Sequence, residues 1–129
     1  MEQSDEHESD ANLISLAENA LSQADPITAL EYCETVLNRS PENVEALFLA
    51  GEACREIGSF EDGAACFQRV VDLSPGCSEA WSALAAIHFD YVEFPRARRE
   101  ALRAIRIDAH NPEAHHIRGM LRERDGDVH

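Results

Sequence analysis

The chain has 129 residues, 44% of them apolar and only 6% aromatic, with 25 acids against 11 bases for a formal charge of −14. That length suits one compact domain or a short array. The acidic excess disfavours nucleic acid, whose phosphate backbone needs a basic footprint, and no apolar run reaches the roughly 18 residues of a membrane-spanning helix.

The opening residues, MEQSDEHESD, are acidic and polar, lacking the basic and apolar regions of a signal peptide. Residues 1–9 therefore read as an acidic disordered tail, and a cytoplasmic location follows. Helical patterning begins at Asp10. In ADPITAL, Asp25 is a helix cap with Pro26 at the first helical position. The stretch GEACREIGSFEDGAACFQRVVDLSP, from Gly51 to Pro75, is apolar but rich in glycine. In a single amphipathic helix each interior glycine would cost about 1 kcal/mol relative to alanine. Gly58 is placed where one helix ends and a left-handed cap is cheap for glycine. Pro75 closes the helix after it. EFPRARREALRAI puts Pro95 in the first turn of another helix, and PEAHHIRGMLRERDGD carries the last, expected over 112–124, with 125–129 as a tail. Each helix is about 12 residues, too short to be stable alone in water, so stability must come from stacking neighbours.

The glycines make sense within a period of 34 residues. Ala17, Gly51, Ala85 and Gly119 are all small, as are Ala29, Gly63 and Ala97. Val36, Val70 and Ala104 align, as do Ala46, Ala80 and Ala114, then Leu13, Leu47 and Trp81, and Pro41 with Pro75. Such a period marks a stacked array. It resembles the tetratricopeptide repeat family, whose unit is helix A, a tight turn and helix B. The second unit, 44–77, carries the signature at Gly51, Phe60, Phe67 and Pro75. The third, 78–111, carries it at Trp81, Leu84, Ala97 and Ala104 but has His88 where tyrosine is usual. The first, 10–43, is degenerate and keeps Leu16, Ala29 and Pro41. Pro112–Arg124 is a further helix A, read either as a solvating cap or as the start of a fourth unit in a longer protein. The resemblance implies an all-α fold: a right-handed superhelical stack of antiparallel helix pairs, about three and a half units long. The small positions then lie where helices A and B cross.

At about 100° per residue, Leu47, Ala50, Gly51 and Cys54 share one stripe, the core, while Glu45, Phe48, Glu52 and Arg55 share another, more than 90° away. In the family the second stripe lines the concave groove. Carried over, it implies a partner-binding surface of Ile14 and Glu18; Glu45, Phe48, Glu52 and Arg55; Glu79, Ser82 and Phe89; and His116, with Leu21, Glu56, Ala86, Asp90, Glu113 and Met120 beside them. Aromatic groups among carboxylates suit a protein or peptide with apolar and basic groups. The competing reading packs Phe48 and Phe89 between repeats and leaves the acids merely solvated. Family members that clamp the acidic tails of chaperones use basic residues on helix A. Here those positions are Ile14, Glu18, Leu49, Glu52, Glu79 and Ala83, so acidic tails are disfavoured.

Charge is uneven along the chain. Residues 1–95 carry net −16 and residues 96–129 net +2, with Arg96, Arg98, Arg99, Arg103 and Arg106 on one helix. That helix reads as a solvated face, or alternatively as a second partner surface or a self-association contact. The four cysteines, 33, 54, 66 and 77, show no C-x-x-C and read as free packing thiols. HNPEAHH lacks metal-ligand spacing, and no nucleotide, metalloprotease or nucleophile motif occurs. The expectation is a non-catalytic interaction adaptor with no cofactor and no metal. The alternatives are a regulatory module of a larger protein, which could be an enzyme, and a secretion-type chaperone holding an extended segment.

Overall fold

The structure is a computed structural model that describes residues 8–126. Its elements are α1 (Asp10–Ser22), α2 (Pro26–Arg39), α3 (Val44–Ile57), α4 (Phe60–Leu73), α5 (Ser78–Asp90), α6 (Phe94–Ile107) and α7 (Pro112–Arg124). Among the described residues there is no strand. α1, α3, α5 and α7 begin 34 residues apart, and so do α2, α4 and α6. Turns of two to four residues join them, which folds consecutive helices back on one another.

The turns repeat as closely as the helices. Ser9, Asn43, Cys77 and Asn111 are the N-caps of α1, α3, α5 and α7. Ser9 Oγ accepts from the Asn12 N–H at 3.1 Å, Asn43 Oδ1 from Ala46 at 3.0 Å and Asn111 Oδ1 from Ala114 at 3.0 Å. Cys77 makes no side-chain cap. At the other kind of turn, the residue two positions before α2, α4 and α6 is left-handed: Ala24 at φ 60°, Gly58 at 98° and Val92 at 65°. Gly126, after α7, takes φ 73° in the same register. Glu8 and Ser9, expected in the tail, belong to the α1 cap instead. Asn12 Nδ2 donates to Glu8 Oε1 at 2.8 Å, and Arg39 Nη1 donates to the Glu8 carbonyl at 2.9 Å. Asp125 likewise pairs with Arg98 rather than trailing as tail. The rest of both expected tails, residues 1–7 and 127–129, lies outside the described residues.

The chain forms two compact units, Met1–Cys66 and Phe67–His129, whose boundary falls inside α4. In the first, α1 packs on α2 and α3, and α2 on α3. The core is built of Leu13, Ile14, Ala17, Ala29, Cys33, Val36, Ala46, Leu49 and their neighbours. Its small residues set the helix spacing: a Cβ on Gly63 would stand 3.3 Å from the Gly51 carbonyl oxygen and 3.4 Å from Cys54 Cβ. In the second unit α5 packs on α6, and both contact α7. Ala85, Ala101, Ile117 and Leu121 form one core cluster there, with Phe89, Phe94 and Met120 against it, and Phe67, Val70, Leu84 and Ile87 are buried in the same unit. Ala17, Gly51 and Ala85 are buried, but the fourth residue of that series, Gly119, is exposed, and a Cβ on it would meet nothing within 4 Å.

Candidate functional site

Within the first unit, Glu45, Phe48, Glu52 and Arg55 recur along α3 at spacings of three and four, so one face carries them all. Glu45 is exposed, while Phe48, Glu52 and Arg55 are half-buried. The opposite stripe, Leu47, Ala50, Gly51 and Cys54, is buried, which puts the core where the period demands it. α1 contributes Glu18, exposed, on a helix that touches α3. Ile14 does not join this face. It is 7% exposed and packs in the core with Leu13 and Ala17. α1 buries Ile14 beside Leu13 in the first unit's core, so the expected groove residue faces inward.

In the second unit, Glu79 and His116 are exposed, on α5 and α7. Phe89 is half-buried against Phe94, with ring centroids 5.2 Å apart in an edge-on arrangement. Phe94 in turn lies under the Arg124 guanidinium at 3.8 Å. Phe89 thus packs within its own unit and is only partly presented. Ser82 departs from the expectation altogether, being 1% exposed. Its hydroxyl donates to the Glu79 carbonyl at 3.0 Å and accepts from Asn111 Nδ2 at 3.2 Å. The same Nδ2 reaches Ser78 Oγ at 2.8 Å, and Ser78 donates to the Ala104 carbonyl at 2.9 Å. Asn111 therefore caps α7 while tying α5 and α6 to it, and Ser82 is consumed by that network. Buried polar groups must find partners, and here they find one another.

A second buried polar contact joins α5 to α6. His88 Nδ1 stands 2.7 Å from Glu100 Oε1, with side chains 6% and 8% exposed, and Arg96 Nε approaches the other carboxylate oxygen at 3.4 Å. His88 fills the usual tyrosine position by pairing with a carboxylate on the next helix. The cysteines are all free. Burial pushes the Cys33 thiol up to about 12, with Cys66, Cys54 and Glu34 adding to the effect. Burial, then Cys54 and Asp62, pushes Cys66 up to about 11. Cys54 is raised by burial, then Asp62 and Glu34. A thiol that keeps its proton is a poor nucleophile, and Cys33 and Cys66 pack in the core of the first unit while Cys54 is buried. Among the described residues no three His, Cys, Asp or Glu groups are placed to hold a metal ion, and no helix is long and apolar enough to cross a membrane.

Comparison with known proteins agrees with this geometry. MamA superposes with a TM-score of 0.85 at 19% identity, over 92% of this chain and 69% of that one. The Sgt2 TPR domain from Aspergillus fumigatus gives 0.83 at 18% identity, over 92% and 80%. The first TPR of Spaghetti (RPAP3), bound to the HSP90 peptide SRMEEVD, gives 0.81 at 17% identity, over 92% of each chain. Among curated proteins there is no match. The profile described as Tetratricopeptide repeat matches residues 20–87, more than half of the sequence. With the 34-residue period running through the helices, their caps and their left-handed turns, the chain belongs to the tetratricopeptide repeat family.

Proposed function

We propose that this chain is a non-catalytic protein–protein interaction adaptor that binds a peptide with apolar and basic groups. Its repeat units are 10–43, 44–77 and 78–111, followed by the helix at 112–124. The observation that carries the reading is the α3 face, where Phe48, half-buried, stands between Glu45 and Glu52 with Glu18 on the adjacent helix. A ring in that setting offers apolar contact, and the carboxylates orient a basic neighbour. On the second unit, Glu79, Phe89 and His116 are the corresponding candidates. Peptide binding by the RPAP3 domain supports the class of function. The peptide itself should differ: SRMEEVD is acidic, and Ile14, Glu18, Leu49, Glu52, Glu79 and Ala83 supply no base to hold such a tail. Four free cysteines support a cytoplasmic, reducing setting.

The test is titration of a labelled peptide built from leucine and arginine, at low and at high salt. Phe48→Ala should weaken binding by roughly 1–3 kcal/mol at both, the range of an interface anchor. The Glu45→Gln/Glu52→Gln double variant should weaken it mainly at low salt, because screening weakens charge attraction at the surface. Wild-type affinity in both variants, with helical content unchanged, would overturn the assignment.

A further inference from the structure

The second unit contains a cavity of about 480 Å³, lined by Gln68 on α4, Trp81 on α5, and Arg96, Arg99, Arg103 and Arg106 on α6, with Glu100 and Leu102 completing it. A chain with 25 acids has every opportunity to neutralise its arginines, and elsewhere on α6 it does so. Arg98 pairs with Asp125, and Arg96 with Glu93 at 3.7 Å and Glu100 at 3.4 Å. Among the described residues, Arg99 and Arg106 make no hydrogen bond or ion pair. Arg103 makes only a ring contact, its guanidinium 5.0 Å from the Trp81 centroid. Trp81 is itself fixed, since Nε1 donates to the Pro75 carbonyl at 2.8 Å. Glu100 offers little relief, being engaged by His88 and Arg96. Three unpaired cations at i, i+4 and i+7 repel one another, and a cavity in this size range accommodates a small ligand or a few side chains.

We propose that this cavity is a second binding site and takes a short acidic peptide segment, with carboxylates on Arg99, Arg103 and Arg106 and an apolar side chain against Trp81 and Leu102. None of its lining residues belongs to the candidate peptide face, and on α5 Trp81 lies about 160° around the helix from Glu79 and about 80° from Phe89. Guanidinium groups are the donors suited to planar carboxylates. Charge complementarity selects a short peptide over a nucleic acid. A polynucleotide would extend past a few arginines into the repulsion of a chain with net charge −14.

Trp81 is the single tryptophan of the sequence, so its fluorescence reports on this cavity alone. The probe is a short peptide of glutamates around one leucine, titrated at low salt. The expected result is a saturable change in Trp81 emission that weakens as salt rises. The Arg99→Ala/Arg103→Ala variant should lose about tenfold in affinity, as two exposed charge contacts are removed. A charge-matched control, Arg118→Ala/Arg122→Ala on α7, should bind as the wild type does. The same probe carrying phosphoserine in place of glutamate tests whether the cavity prefers phosphate, and it should bind through the same arginines. No emission change, equal loss in the two double variants, or tighter binding of oligothymidylate of equal charge would each overturn the proposal.

Discussion

Asn111 shows how one side chain can join two helices and, through Ser78, a third. It closes the first turn of α7 with Oδ1 and reaches Ser78 and Ser82 with Nδ2. Asn111→Ala should therefore cost about 2–3 kcal/mol, combining a lost cap with buried hydroxyls left short of a donor. Cys77, at the same place in the preceding repeat, has an extended backbone at φ −83° and ψ 94° but no capping group. Cys77→Asn should raise stability by roughly 0.5–1 kcal/mol, read as a higher urea midpoint with an unchanged slope. The buried thiols carry a pH signature of their own. From pH 9.0 to about 12 the unfolded chain releases the Cys33 proton while the folded chain retains it. The unfolded state then binds fewer protons, so stability falls as pH rises through that window and is unaffected by this group below it. Urea midpoints should drop between about pH 8 and about pH 10.5, and drop less in Cys33→Ala, whose position holds alanine in the third repeat at Ala101. Equal slopes in the two proteins would remove Cys33 as the cause.

At the scale of elements, the turn before each helix B needs one left-handed residue, and only one of the three examples is glycine. Gly58 adopts φ 98° at no steric cost, while Ala24 and Val92 adopt 60° and 65° against their side chains. For β-branched Val92 this conformation is an outlier. Val92 is also 66% exposed, so its removal forfeits little burial. Val92→Gly should accordingly stabilise by about 1 kcal/mol, the relief of a strained turn less the extra freedom glycine gives the unfolded chain. A thermal melt lower than wild type would mean that the valine makes contacts worth more than its strain. The same scale explains why Ser82 is a poor probe of any groove. Its helix presents Ser82 to Asn111, so Ser82→Leu disturbs a packed polar network, and it belongs with Gly51→Leu and Ala97→Leu as an overpacking change.

For the whole molecule, charge is the dominant asymmetry. Residues 1–95 carry net −16 and residues 96–129 net +2. Basic groups approaching the α3 face and acidic groups approaching the α6 cavity would both gain from local fields, but only the first is aided by the overall charge. Salt should therefore slow association at the α3 face. At the cavity, salt weakens the local attraction and the long-range repulsion together. Each of the two units has a core dominated by alanine rather than by large residues. Close helix approach, which small side chains permit, supplies contact where bulky groups do not.

The sequence by itself determined the helix count, the crossing positions and the family, because a period of 34 residues writes the same packing problem three times over. Small residues recurring at Ala17, Gly51 and Ala85 mark buried positions, with Gly119 on the last helix the exposed exception. It also gave the α3 stripe, since a helix has a fixed rotation per residue. What it could not give was the fate of residues whose column changes from repeat to repeat. Ala20, Cys54 and His88 form one column and Tyr32, Cys66 and Glu100 another. Read singly, His88 is a departure from the usual tyrosine; read as a pair, the columns meet as imidazole and carboxylate at 2.7 Å. Ser82 and Ile14 face inward through contacts beyond their own helices: a polar network closed by Asn111, from 29 residues away, and packing of Ile14 in the core of the first unit. The cavity at Trp81 likewise needed three helices to bring its residues together. Periodicity fixes backbone placement because every repeat must satisfy it, whereas side-chain partnership across helices depends on contacts between residues far apart in the chain, and only the tertiary structure decides those.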